Sequence, residues 1–152
     1  MLPRCRLRLQ VQVDPDAGAL PVDRPQLRRW VASALSADAE LVLRFVGTAE
    51  GRSLNRQFRG RNRPTNVLTF DYESAPVVKA DVVICLPLVR EEAASLGKPV
   101  RDHLGHLVVH GVLHAQGHDH QSDEEAFRME SRETAILRRF GITDPYNGDR
   151  DA

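Results

Sequence analysis

His110, His114 and His120 fall at i, i+4 and i+10, with Gly117 between the last two. No other feature limits so tightly what this chain can fold into. On a helix, residues four apart share a face, with Cβ atoms about 5–6 Å apart. Two imidazoles there can address one metal ion. A helix continued through residue 120 would carry the third histidine about 9 Å further along the axis, at about 1.5 Å per residue. That is out of reach of a metal–nitrogen bond of about 2 Å. Gly117 removes the difficulty, because glycine enters positive φ at little cost and so ends a helix and turns the chain back. His120 then closes a three-histidine set. Three protein ligands with an open fourth position are the arrangement of a catalytic zinc rather than a structural one. The expectation is one tightly bound first-row metal per chain, zinc first, with nickel as a substitute.

The spacing matches the elongated zinc-protease signature H-E-x-x-H-x-x-G-x-x-H, with one difference. The glutamate that acts there as general base is replaced by Gly111. The chain keeps the ligands and lacks the side chain that would work a protease water. His103, His106, His110 and His114 are spaced by three and four, so they share one helix face. His106 is therefore a rival ligand, and it reads better as a residue that orients a ligand from behind or caps the helix. Asp119, beside a ligand, reads the same way, since a carboxylate there usually fixes a ligand imidazole. His118 reads as a pocket-lining or exposed side chain.

A chain of 152 residues holds one domain with a real core, here taken as residues 1–152. No apolar run approaches the roughly 20 residues that span a bilayer. The first ten residues alternate charged and apolar positions without a hydrophobic stretch, so no signal peptide is expected. Cys5 and Cys85 read as reduced thiols of a cytoplasmic protein. A net charge of zero excludes a general polyanion binder. Charge is nonetheless clustered: Arg52, Arg56, Arg59, Arg61 and Arg63 fall within one short segment.

Leu7, Leu9, Val11 and Val13 alternate with polar residues, which predicts a half-buried strand. Asp23 caps a helix with Pro25 in its first turn and Leu27, Trp30, Val31, Ala34 and Leu35 on one face. Glu40 to Val46, Val67 to Phe70 and Asp81 to Leu86 read as three more strands, and Glu73 to Lys79 as a mobile loop. Short helices are expected from Thr48 to about Gln57 and from Pro87 to about Leu96, and the histidine helix from Val100 to about Gln116. Ser122-Asp-Glu-Glu125 is a capping box for a last helix, with Phe127, Glu130, Thr134 and Leu137 marking its periods and Gly141 ending it. Asp144-Pro-Tyr146 reads as an anchor for the tail. Strands and helices are mixed without a clean βαβ repeat, so the fold class is α+β: a small mixed sheet of about four strands packed with helices.

Two segments together resemble one family. Leu54-Asn-Arg-Gln-Phe-Arg59-Gly-Arg-Asn-Arg-Pro64-Thr65-Asn66-Val-Leu-Thr-Phe70 looks like L-N-x-x-Y-R-x-K-D-x-P-T-(D/N)-V-L-S-F, and His110-Gly-Val-Leu-His114-Ala-Gln-Gly117-His118-Asp119-His120 looks like H-G-x-L-H-x-x-G-Y-D-H. The chain is similar to the bacterial YbeY endoribonucleases, which are rRNA maturation factors. The resemblance covers about Thr48 to Tyr146; the first 45 residues match in element order only. It implies a single metal-binding α+β domain and single-strand-specific hydrolysis of RNA phosphodiesters in the cytoplasm. It implies a role in rRNA maturation, notably at the small-subunit 3′ end, and in ribosome quality control. The implied partners are rRNA, the small ribosomal subunit, a ribosomal protein and an assembly GTPase, with no membrane. His110, His114 and His120 are implied as zinc ligands and Arg59 as the key other residue of the cleft. Three positions depart from the pattern: His118 for Tyr, Asn62 for Asp, and Ala80 for Gly. None removes a ligand.

A metal held by three neutral imidazoles keeps its full positive charge, which lowers the pKa of a bound water from 15.7 to about 7 and takes up charge on a phosphoryl oxygen. An arginine across the cleft suits the remaining charge through bidentate bonds. Arg59 is assigned that role, and Arg52, Arg56, Arg61 and Arg63 contact flanking phosphates, setting register rather than sequence. Proton transfer stays unassigned, because Gly111 offers no base. Two other classes stand beside the ribonuclease: a non-enzymatic ribosome-assembly factor with a structural zinc, and a metal hydrolase acting on a peptide or small molecule. The fourth coordination position separates them. A protein ligand there favours the assembly factor, and a water the enzyme.

Overall fold

Hydrophobic alternation builds the sheet. Leu7, Leu9, Val11 and Val13 turn toward the core and the residues between them face outward in β1 (Leu7–Val13). β2 (Ala39–Val46) and β4 (Val78–Cys85) lie inside the sheet and are apolar on both faces toward their carboxyl ends. β3 (Val67–Glu73) is an edge strand and more polar. The order is β1-β2-β4-β3, with β1, β2 and β4 parallel and β3 antiparallel to β4. The structure, a computed structural model, describes residues 4–59, 66–117 and 122–143, without the side chains of residues 58 and 59.

Five helices cover this sheet among the described residues: α1 (Arg24–Ser33), α2 (Thr48–Arg59), α3 (Leu86–Leu96), α4 (Val100–Ala115) and α5 (Asp123–Arg138). Their ends follow the expected chemistry. Asp23 Oδ1 accepts a hydrogen bond from Gln26 N at 2.9 Å, and Ser122 Oγ accepts from Glu125 N at 3.1 Å. Gly97 ends α3 in the left-handed region. The class is α+β with a four-stranded mixed sheet, as the pattern predicted.

Two details differ from the sequence reading. Residues 73–79 are not a loop: β3 runs on to Glu73 and β4 begins at Val78, so only residues 74–77 connect the two strands. The polar composition of that stretch reflects an exposed hairpin end. In α5 the apolar stripe is Met129, Ile136 and Leu137, with Glu133 among them, while Phe127 is 65% exposed. The helix is turned from the face that Phe127 marked.

The two sheet faces carry different clusters, and of the helices only α3 contributes to both, with Leu86 and Val89 in the first and Leu88 in the second. On one face Leu43, Phe45, Ala80, Val82 and Ile84 pack with Leu27 and Trp30 of α1, Leu104, Val108 and Leu113 of α4, and Leu137 of α5. On the other, Val46, Leu68, Val83 and Cys85 pack with Leu54 of α2 and Leu88 of α3. Truncating a fully buried leucine such as Leu104 or Leu113 to alanine costs about 2–5 kcal/mol, so α4 is held firmly in place. It also lies unusually near its neighbours. A Cβ added at Gly111 would stand 2.7 Å from Val82 Cγ1, and one at Gly105 would stand 2.9 Å from Ile142 Cδ1. Each mid-helix glycine costs about 1 kcal/mol against alanine, and here each permits a contact that alanine would prevent. Among the described residues, no helix is long and apolar enough to cross a membrane.

Candidate metal centre

Sequence spacing becomes a row of rings on α4. Centroids of His103 and His106 are 6.2 Å apart, those of His106 and His110 6.0 Å, and those of His110 and His114 4.6 Å. The row tightens toward the carboxyl end of the helix, where the i, i+4 pair His110 and His114 meet edge to face. Gly111 lies on the sheet-facing flank of that turn, against Val82, Val67 and Thr69 of the sheet. The position of the protease glutamate therefore faces a packed sheet, not a cleft.

Behind the row stands Glu133 of α5, which the sequence reading did not single out. Its side chain is 0% exposed. Oε2 lies 3.2 Å from His106 Nε2, and Oε1 is hydrogen-bonded to His110 Nδ1. Burial alone would raise the Glu133 carboxyl, but the hydrogen bonds from His106 and His110 outweigh it and hold the group down at about 2. Glu133 is thus ionised and acceptor-only, so each imidazole nitrogen facing it is a donor. A signal for it existed in the sequence: a glutamate on the Met129–Ile136–Leu137 stripe is out of place unless it is paired.

The end of α4 is fixed from two directions. Gly117 has φ +87°, a conformation that side chains disfavour, and nothing lies within 4 Å of the Cβ it lacks. Gly117 N donates to His114 O at 3.0 Å. Gln116, the residue before it, uses its whole amide. Oε1 accepts from Ser36 N at 2.7 Å and Ser36 Oγ at 3.0 Å, and Nε2 donates to Ala34 O at 2.7 Å and Val112 O at 3.2 Å. The turn after the two histidines is tied to the segment that follows α1.

These residues fit a metal. His106, His110 and Glu133 offer ligand atoms within 4.8 Å of one another. Full burial of Glu133 argues that the carboxylate supports the imidazoles from behind instead of facing a substrate. His110 Nδ1 points to Glu133, which turns its Nε2 away from the carboxylate, on a ring whose neighbour is His114. A carboxylate that fixes the tautomer and raises the basicity of a ligand imidazole is the usual support of a histidine-held metal.

The other expected residues are distributed as follows. His118, Asp119 and His120 lie outside the described residues, as do Arg61, Arg63 and the Asp144–Tyr146 segment, and Arg59 is described only as the last residue of α2. Arg52 and Arg56 are exposed on α2. That helix packs Leu54 on the sheet face opposite α4, so the structure does not bring these two arginines beside the histidines. Cys5 and Cys85 are both free thiols.

Comparison with known proteins bears on this arrangement directly. The family model described as Endoribonuclease YbeY matches residues 18–141, which takes in α1 through α5 and three of the four strands. The chain belongs to the YbeY endoribonuclease family. Two curated relatives named Endoribonuclease YbeY illustrate the likeness. The protein of Thiobacillus denitrificans is 52% identical over 143 residues, covering 93% of this chain and 97% of its own. That of Methylibium petroleiphilum is 49% identical over 140 residues, covering 92% and 94%. A solution structure of a Thermotoga maritima protein aligns with TM-score 0.60 at 23% identity, over 94% of this chain and 92% of that one, and shares the fold. The YbeY likeness extends further toward the amino terminus than the two motifs alone indicated.

Proposed function

We propose that this chain is a metal-dependent endoribonuclease that hydrolyses single-stranded RNA phosphodiesters in the cytoplasm. Its work is rRNA maturation, notably at the small-subunit 3′ end, and ribosome quality control. One zinc per chain is held by His110, His114 and His120, and nickel can take its place. Its partners are rRNA and the small subunit, with a ribosomal protein and an assembly GTPase. The observation that carries this reading is the His110–His114 pair backed by the ionised, fully buried Glu133, in a chain of the YbeY family.

When bound, the metal supplies Lewis acidity to a water and to a phosphoryl oxygen. The chain's own residues do the rest. Glu133 accepts the Nδ1 proton of His110 and the Nε2 proton of His106, which fixes both rings. Asp119 orients a ligand imidazole in the same manner. Gly111 stands where the zinc proteases carry their glutamate base, so that base is missing from this helix position. Arg59 takes up the extra charge on the non-bridging phosphate oxygens through its planar fork. Arg61 and Arg63 hold neighbouring phosphates, and Arg52 and Arg56 hold phosphates further along the strand.

Replacing Arg59 tests the reading. Arg59→Lys should fail almost as badly as Arg59→Ala, because lysine keeps the charge and loses the fork. Single-turnover cleavage of an rRNA fragment should fall by about 100-fold or more, with a much smaller loss of RNA affinity, as for a contact made mainly in the transition state. Metal content should be unchanged. Wild-type cleavage by Arg59→Ala at saturating RNA would reduce Arg59 to a docking residue, and loss of metal would make it structural.

A further inference from the structure

β1 ends the sheet on one side, with β2 as its only strand neighbour among the described residues. In a parallel ladder a strand turns the backbone groups of alternate residues toward its neighbour and those of the rest away from it. Arg6 O accepts from Ala39 N, and Asp14 N donates to Phe45 O, both at 2.9 Å. Even-numbered residues of this stretch therefore bond to β2. Leu7, Leu9, Val11 and Val13 turn their N–H and C=O groups to the outer edge. Such a row, on a strand without proline or glycine, is a template for another strand. Two of its carbonyls are occupied. Arg24 Nη1 donates to Val11 O at 3.0 Å, and Arg28 Nη2 donates to Leu7 O at 3.1 Å.

Both arginines stand on α1 at i and i+4, so they share one face of the helix. Arg24 opens α1, which has no acidic residue in its first turn. A cation there opposes the helix dipole, so helix stability does not account for it. Both residues are exposed, yet each guanidinium lies on the strand edge instead of extending into water. Arginine has donors and no acceptor, so it closes carbonyls and leaves the N–H groups between them. A closed carbonyl takes the N–H of an added strand only if the arginine leaves. Which strand fits this edge is decided by β1 itself. Laid antiparallel to its own copy about a two-fold axis at Gln10, it pairs Leu9 with Val11 and Leu7 with Val13 through their outward backbone groups. On the core side these are apolar pairs. On the other side Gln10 faces Gln10 and Arg8 faces Gln12, so no like charges meet.

We propose that the outer edge of β1 is a strand-addition surface for a second copy of this chain, and that Arg24 and Arg28 form a lock that keeps it closed. The lock works by competition. Arg24 holds the acceptor that the N–H of Leu9 in the second copy needs, and Arg28 the one that the N–H of Val13 in that copy needs. By symmetry each arginine acts twice, once in each copy.

The test uses the full chain, and its first arm needs no variant. Amide hydrogen exchange in the wild-type protein should be fast at Leu9 and Val11 and slow at Gln10 and Gln12, whose N–H groups face β2. Equal protection at odd and even positions would show the edge already covered and would overturn the lock. The second arm compares sedimentation of wild type with that of the double variant Arg24→Ala, Arg28→Ala over a wide range of concentration. Wild type should remain a monomer. The double variant should form a dimer whose dissociation constant is lower by about tenfold or more, and the Leu9 and Val11 amides should become protected with it. Equal association of the two proteins overturns the proposal, and so does a dimer that leaves those amides exchanging fast. Thermal unfolding of the double variant should stay close to wild type, and collapse of the fold would make the arginines structural and end the lock. The third arm fixes the occupant. Gln10 is exposed, and Gln10→Lys added to the double variant should weaken its dimer by about threefold to fivefold, because two lysines then face each other. Mixing that chain with one carrying Gln10→Glu should restore the association. A mixture no stronger than either chain alone would overturn the antiparallel pairing of two copies.

Discussion

Glu133 on α5 and His110 on α4 meet in a hydrogen bond between a fully buried carboxylate oxygen and Nδ1 of the imidazole. The pair determines which nitrogen of His110 faces outward, and it places a fixed negative charge behind the candidate ligands. His106 shares the same carboxylate at 3.2 Å, so two rings are oriented by one anion.

The first prediction removes that charge and keeps its shape. Glu133→Gln presents an amide nitrogen where one of two donor imidazoles needs an acceptor. Zinc affinity, measured by competition with a chromogenic chelator, should fall by about 10–100-fold, the usual cost of losing a carboxylate behind a ligand histidine. Helix content should stay close to wild type. Unchanged affinity would mean that Glu133 only fills space.

A second prediction concerns acid. The folded Glu133 carboxyl titrates at about 2, where burial raises it and the bonds from His106 and His110 lower it by more. The Glu92 carboxyl is also lowered, through His103 first. An unperturbed glutamate titrates near 4.3, roughly its value in the unfolded chain. Folded values below the unfolded one give stability that is complete above about pH 4.3 and is lost as pH falls through the folded values. For Glu133 that stability is on the order of a few kcal/mol. Urea unfolding of metal-free protein should therefore weaken steeply between about pH 4.3 and about pH 2, and less steeply in Glu133→Gln. Equal slopes for the two proteins would refute the ionised carboxylate.

The third prediction contrasts two glycines six positions apart. Gly117 has open space around it and a φ of +87°, whereas Gly111 is helical and meets Val82 at 2.7 Å from its would-be Cβ. Gly117→Val should strain the turn by about 1–3 kcal/mol, weaken metal binding and keep helix content. Gly111→Ala gains about 1 kcal/mol of helix propensity but must displace Val82, an overpacking that costs about 1–3 kcal/mol. Its melting temperature should drop, and a second change, Val82→Ala, should restore part of the loss. A rise in melting temperature for Gly111→Ala alone would show that α4 does not lean on the sheet.

Much of this molecule was legible where a residue's role is set by its near neighbours in sequence. Asp23 and Ser122 announced helix starts because a cap acts within three residues. Gly117 announced a turn because its φ is its own property, and the histidine row followed from the helical period. Glu133 was hidden because its partners lie on another helix, and its local mark, a glutamate on an apolar stripe, was masked by placing the stripe through Phe127. The β3–β4 hairpin was hidden for a different reason. An edge strand exposed on one side carries Asp71, Tyr72 and Glu73, so its ladder pairs resemble loop residues until β4 is laid beside it. Gln116 reads as an ordinary polar residue, and only the return of Ala34 and Ser36 in space gives it four bonds.

Glu133 belongs to the last helix among the described residues, and it follows the histidines in the order of synthesis. Translation completes α4 before α5 begins, with only residues 116–122 between them. A nascent chain that has produced His110 and His114 but has not yet reached residue 133 carries the rings without the anion that orients them. The apolar stripe that brings this anion inward, Met129, Ile136 and Leu137, arrives with the same helix. A product truncated between residues 114 and 133 would keep the recognisable histidine pair while lacking its counter-charge.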